Sequence, residues 1–183
     1  FFLKDTNIVI WTTTPWTIPA NKALAYNSGL EYSVLEIPHT ENFKEKKIIV
    51  ATKLIDSVIK SCEIINYKIL HTFKGSEFKN TICNHPFLKI GYDYDVPMLD
   101  ARFVNLEQGT GIVHCAPSHG PDDFNLCLKN NISSKYTVDN AGLYTEEVPY
   151  FNKTHVFKAD PIVIEKLKEE NKLLKSDKLH HSY

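Results

Sequence analysis

Arginine is almost missing from this sequence. Arg102 is the single one among 21 basic residues. A phosphate or guanine reader built from paired arginine forks is therefore excluded. The formal net charge is −1, so the chain also lacks the positive excess that a charge-driven grip on nucleic acid requires. No apolar run approaches the roughly 20 residues of a membrane-spanning helix. The opening FFLKDTN lacks the basic start and apolar stretch of a secretory signal. Cysteines are few: Cys62, Cys83, Cys115 and Cys127. None stands in a C-x-x-C pair, which excludes a zinc ribbon, and the density is too low for a secreted disulfide scaffold. Free thiols in a reducing compartment are expected. The glycosylation sequons at Asn131 and Asn152 are short enough to arise by accident. There is no initiator methionine, and the sequence starts and stops inside patterns. The chain is expected to be a piece excised from a longer protein.

What is present is ordinary globular material, 43% hydrophobic and 23% charged over 183 residues. That length supports one domain, residues 1–183, with a core that needs no staples. Strand signals are numerous and short: Asn7–Thr13, Tyr32–Ile37, Lys47–Ala51, Glu63–Phe73 and Gly111–Cys115. Three helices are expected. Thr52–Lys60 groups Leu54, Ile55, Val58 and Ile59 on one side. Pro121–Asn130 opens with Pro and acids, both start signals. Asp160–Asn171 is expected to bury Ile162, Val163 and Leu167, with Leu173 or Leu174 beyond. The polar segment Pro38–Lys47 reads as an exposed loop. Many short strands with few helices predict a mainly β fold centred on a β-barrel, with peripheral helices.

Two stretches stand apart. The first is WTTTPWTIPAN, Trp11–Asn21, which holds both tryptophans of the chain beside a cluster of hydroxyls. Threonine hydroxyls donate and accept, so at a strand end they can meet a small polar ligand. The structural alternative is a corner held by Thr-to-backbone bonds. The second is GTGIVHCAPSHGPDDF, Gly109–Phe124. Its glycines let backbone amides approach a ligand closely. Asp122 and Asp123 fall in the first turn of a helix, where the dipole favours their charge and an ionised carboxylate could hold an ammonium group. Ordinary helix-start acids are the alternative. His114 lies on a strand, as a site residue or a packed core histidine, and His119 lies in a loop, expected to be solvated. No H-E-x-x-H spacing or ligand pair points to a metal. His114 and Cys115 are strand neighbours that point to opposite faces, which argues against a Cys–His nucleophile.

Together the two stretches resemble the editing insertion of isoleucyl-tRNA synthetase, connective polypeptide 1. The threonine motif stands here as WTTTPWTIPANKA and the second motif as GTGIVHCAPSHGPDDF. The end, VFKADPIVIEKLKEENKLLKSDKLHHSY, resembles the family's exit segment. Valyl and leucyl relatives usually carry Arg where this chain has Thr14, and they lack Trp16 and commonly His114. The Ser-His-Gly-Pro-Asp-Asp form resembles bacterial-type members. The resemblance implies a cytoplasmic location in a bacterium, or an organellar one (apicoplast, plastid or mitochondrial) in a eukaryote.

The resemblance also implies a chemistry. Isoleucine and valine differ by one methylene, worth about 1–3 kcal/mol in a hydrophobic pocket, a limit for which isoleucyl-tRNA synthetase is the standing example. A second, smaller site must then hydrolyse the mischarged product, Val-tRNA(Ile). By resemblance Asp123 binds the α-ammonium, with Asp122 beside it serving the helix end. His114 limits side-chain size, and Thr12, Thr13 and Thr14 contact the substrate backbone and terminal ribose. Trp11 and Thr17 shape the pocket, Asn21 lies near it, and Gly111 offers backbone. Water is the nucleophile, with a ribose hydroxyl as its assistant. No cofactor or metal is expected in the domain, while ATP and Mg serve the parent synthetase. The expected partners are the tRNA(Ile) 3′ acceptor end carrying valine, valyl-adenylate and the rest of the synthetase chain, with no membrane. A non-catalytic module binding the tRNA acceptor end is the alternative, and a freestanding hydrolase a third.

Overall fold

The computed structural model describes residues 2–178. Eight strands form two four-stranded sheets. The first has the order β1-β4-β3-β5, from β1 (Asn7–Ile8), β3 (Glu31–Glu36), β4 (Lys47–Ala51) and β5 (Lys68–Lys74). The second has the order β6-β7-β2-β8, from β2 (Ala23–Tyr26), β6 (Ile82–Asn84), β7 (Asp95–Asp100) and β8 (Val113–Cys115). Each sheet mixes directions. β1 runs parallel to β4 and β2 parallel to β7, and the remaining pairs are antiparallel. Three α-helices among the described residues lie outside the sheets: α1 (Ile55–Ser61), α2 (Pro121–Lys129) and α3 (Ala159–Glu169). The mainly β architecture with peripheral helices is the one expected.

Apolar runs place the central strands. Tyr32–Leu35 of β3 and Ile48–Ala51 of β4 are buried on both faces, so neither strand alternates. They share one core with Leu24 and Tyr26 of β2 and with Val96 and Met98 of β7. This shared core holds the two sheets together. A second cluster joins Ile18 to Tyr92, Tyr144, Phe151, Val163 and Leu167. It packs α3 against the segment after the threonines. A third, smaller one sits under α2 and contains the buried Cys115 and Cys127.

Several elements are shorter than the sequence suggests, each for a visible reason. The first strand ends at Ile8, with a last bond from Val9 N–H to Ile49 O, and further on Thr14 N–H turns to the Thr12 hydroxyl and not to a neighbouring strand. Gly111 adopts φ +78°, outside the extended region, so β8 begins at Val113. Glu63 takes φ +55° after α1, and β5 starts only at Lys68. A 3-10 turn, Thr52–Leu54, precedes α1, which buries Ile55 and Val58. In α3 the buried stripe is Ala159, Val163 and Leu167, spaced by four. Ile162 lies off that stripe and is 40% exposed, contrary to expectation. The loop Pro38–Lys47 is not uniformly solvated either. Phe43 is only 3% exposed and bridges to Lys172. The last five residues of the exit motif, 179–183, lie outside the described residues.

Candidate functional site

Pro15 fixes the first position of a six-residue 3-10 helix, Pro15–Ala20, and Thr14 is its flanking residue. Thr14 N–H donates to Thr12 Oγ1 at 3.0 Å, and the Thr12 and Thr14 hydroxyls lie 3.3 Å apart. The line continues from Thr14 Oγ1 to Thr17 Oγ1 at 3.4 Å and from there to His114 Nε2 at 3.2 Å. Four side chains from two distant segments thus form one polar string. Thr17 is buried, Thr12 and Thr14 are partly buried, and Thr13 is exposed. Trp11 is 46% exposed and stands beside Gly109, which takes φ +79°.

His114 is carried on β8, which pairs with β2 so that Leu24 faces His114 and Ala23 faces Cys115. Thr17 Oγ1 also donates to Thr14 O at 2.9 Å. With that hydrogen committed, His114 donates from Nε2, and its Nδ1 is left a buried acceptor with no partner. Burial, and then His119, lower the His114 pKa from 6.5 to about 4. The ring is therefore a neutral wall at pH 7 and carries no charge toward a ligand.

Asp123 is in the first turn of α2, after Gly120 and Pro121. Its Oδ2 accepts from Ala116 N–H at 2.9 Å, two residues beyond His114. The carboxylate thereby closes the loop between β8 and α2. Burial raises its pKa, which the Ala116 N–H opposes and Asp122 reinforces. The helix-start position alone suggested only a favoured charge. Asp122 is exposed.

Asn21 and Gly111 have clear packing reasons. Asn21 is buried, and its Oδ1 accepts from Cys115 N–H at 3.1 Å. It ties the end of the threonine segment to β8. A Cβ on Gly111 would meet Ala51 Cβ at 2.4 Å, and its carbonyl accepts from Tyr32 OH at 2.9 Å. The GTG turn is thus seated on the end of β4, where Ala51 N–H also donates to Thr110 O at 2.8 Å. Cys115 is fully buried and burial raises its thiol pKa, so it is a core side chain.

Trp16 lies at the far side of the string. Its ring meets His119 at 4.7 Å in an edge-on arrangement. His119 is half-buried, with Nε2 2.8 Å from Thr137 Oγ1, and so is not the solvated side chain expected of a loop. A cavity of about 240 Å³ opens here, lined by Trp16, His119, Tyr136, Thr137 and Val156 among others. Tyr144 and Asp160, which hold the Trp16 backbone, had no local signal in the sequence. Among the described residues no three His, Cys, Asp or Glu side chains are grouped to hold a metal ion. Among the same residues no helix is long and apolar enough to cross a membrane.

This arrangement of mixed sheets has known counterparts. The crystal structure of GlLeuRS-CP1 superposes with TM-score 0.71 at 16% identity, covering 95% of this chain and 85% of that one. The P. falciparum cytosolic leucyl-tRNA synthetase editing domain superposes with TM-score 0.57 at 17% identity, covering 93% and 68%. The fold is therefore that of the CP1 editing domains of class I aminoacyl-tRNA synthetases. No family model matches the chain. In sequence, the chain matches the CP1 region of isoleucine–tRNA ligase. It is 65% identical over 99% of its length to the isoleucine–tRNA ligase of Pelagibacter ubique (strain HTCC1062), of which it covers 20%. It is 41% identical over 96% of its length to that of Haemophilus ducreyi, of which it covers 18%. The chain thus spans about a fifth of the length of these curated relatives.

Proposed function

We propose that this domain edits the product of an isoleucine–tRNA ligase, hydrolysing valine wrongly esterified to tRNA(Ile). The observation that carries the reading is the polar string Thr12–Thr14–Thr17–His114, ending on a neutral histidine beside the loop that Asp123 closes. Asp123 takes the α-ammonium of the misattached amino acid. Thr12, Thr13 and Thr14 meet the ester and terminal ribose. Thr17 and the uncharged His114 ring form the floor that limits side-chain size. Water adds to the ester carbonyl, the bond to the ribose oxygen breaks, and valine and tRNA(Ile) leave. An aminoacyl ester is already activated, so a 10³–10⁴-fold gain requires only about 4–5.5 kcal/mol. Holding the ammonium and aligning one water is a contribution of that order.

The partners on this reading are the 3′ acceptor end of tRNA(Ile) carrying valine, valyl-adenylate as a second substrate, and the rest of the synthetase. That remainder ligates isoleucine to tRNA with ATP and Mg, in the bacterial cytoplasm. The test is deacylation of Val-tRNA(Ile) and Ile-tRNA(Ile) by the full-length chain and by His114→Ala. Wild type is expected to release valine at least 10-fold faster than isoleucine, within the about 10–200-fold range of one methylene. His114→Ala is expected to release both. Binding of either aminoacyl-tRNA without release of amino acid overturns hydrolysis in favour of a binding module.

A further inference from the structure

We infer that Asp160 is a positioning residue for this site, acting through the backbone of Trp16. The inference rests on the ester-hydrolysis reading above. Asp160 lies 144 positions after Trp16, in the first turn of α3, and no chemistry of the threonine or GTG motifs points to it. Its Oδ1 accepts from Trp16 N–H at 2.8 Å. That N–H belongs to the first turn of the 3-10 helix, where backbone donors have no partner within the helix. The next peptide is held from the other side, because Tyr144 OH donates to Trp16 O. Both peptide planes entering Thr17 are therefore pinned by side chains from the C-terminal part of the chain.

Immediately beyond these two pinned peptides lies the polar string. Thr17 Oγ1 stands 3.2 Å from His114 Nε2 and 3.4 Å from Thr14 Oγ1. It has one hydrogen, already given to Thr14 O. Its placement hence decides whether His114 keeps the tautomer and orientation described. Within the turn Thr17 is tied only to Thr14, whose carbonyl accepts from its N–H and from its hydroxyl, while no side chain caps the helix and Pro19 removes a donor. The clamp supplies what the turn lacks. It is carried on a rigid support, since Ala159, Val163 and Leu167 of α3 are buried in the cluster that also holds Ile18. A first-turn acid on a packed helix is a fixed point against which the turn can be referenced.

The experiment uses the full-length synthetase with Asp160→Ala, Asp160→Asn and Tyr144→Phe. Deacylation of Val-tRNA(Ile) and Ile-tRNA(Ile) is measured with thermal melting and amide hydrogen exchange of the Trp11–Asn21 segment. Asp160→Ala is expected to lower the turnover of the valyl ester about 10- to 100-fold, the scale of a misplacement near 1 Å. It should also narrow the valine-over-isoleucine ratio and speed exchange in Trp11–Asn21. Asp160→Asn keeps an oxygen acceptor and should restore all three. Tyr144→Phe removes one hydroxyl without emptying the cluster, and should shift rate and ratio in the same direction. It decides the matter if the Ala variant fails to fold. An unchanged rate and ratio in Asp160→Ala or Tyr144→Phe overturns the inference, as does an Asn variant as damaged as Ala. Absence of hydrolysis in wild type overturns the underlying reading instead.

Discussion

Asp123→Asn separates two roles that one carboxylate fills. In the structure Oδ2 accepts from Ala116 N–H at 2.9 Å and so closes the loop between β8 and α2. An asparagine oxygen can accept the same bond, so the brace survives. What is lost is the charge that receives an ammonium group. A hydrogen bond to a charged partner contributes about 1.5–3 kcal/mol, which corresponds to about 10- to 150-fold in kcat/KM for the valyl ester. Asp123→Ala removes brace and charge together. Leaving the Ala116 N–H without a partner costs about 1–3 kcal/mol, and for a chain of this length each kcal/mol moves Tm by about 2–4 °C. The Asn variant should therefore melt like wild type and edit poorly, and the Ala variant should fail in both. Deacylation of Val-tRNA(Ile) with parallel thermal melts reads both axes. The acid side adds a check. Burial raises the Asp123 pKa, so activity should fall on acidification at a pH above the ordinary aspartate value. If Asp123→Asn hydrolyses the valyl ester at the wild-type rate, the carboxylate serves only the loop and the ammonium assignment is wrong.

Gly111→Ala should destabilise the fold strongly. The residue sits at φ +78° and the new methyl would stand 2.4 Å from Ala51 Cβ. Left-handed strain of about 1–2 kcal/mol and overpacking of about 1–3 kcal/mol add to about 2–5 kcal/mol, to be read from urea unfolding. Adding Ala51→Gly should recover the overpacking part and leave the strain. Stability should also decline in acid through two buried imidazoles. Burial lowers His85 to about 3 and His114 to about 4, against 6.5 ordinarily. The folded state then binds fewer protons than the unfolded state between these values. The contribution is fully present above pH 6.5 and is lost as pH falls, at about 1.4 kcal/mol per pH unit for each histidine well inside its window. Urea midpoints from pH 7 to 4.5 follow it, and a flat profile would show that these rings are not held neutral.

The legible parts of the fold were those whose signal is local. β3 and β4 carry short runs rich in apolar and β-branched residues, YSVL and IIVA, and α2 announces itself with Gly-Pro-Asp-Asp. β2 was not legible. Its sequence, ALAY, has two alanines that favour strand no more than helix, and it is a strand because β7 and β8 flank it. β6 and β7 were missed as well. β7 contains Pro97, which reads as a strand breaker yet sits here opposite Ile82. The first strand is shorter than its β-branched sequence suggests, for the opposite reason. β-branched Thr12–Thr14 look like strand, but the Thr12 hydroxyl takes the Thr14 N–H that a strand partner would need.

The candidate site divides along the same line. Residue types were set by sequence: a carboxylate at a helix start, a histidine on a strand, hydroxyls ahead of a proline. Those choices are chemical, and they are visible without coordinates. The relations among them were not. Thr17 meets His114 across 97 positions, Asn21 ties to Cys115 across 94, and Asp160 reaches Trp16 across 144. Such contacts exist only once the sheets have closed on their core. No residue pattern encodes them locally, because the hydrogen bond that fixes each partner is formed by the packing of elements far apart in the chain. The sequence determined which groups are on hand; tertiary structure decided that His114 is neutral, that Asp123 is partly withdrawn from water, and that Asp160 and Tyr144 bond the Trp16 backbone beside the threonines.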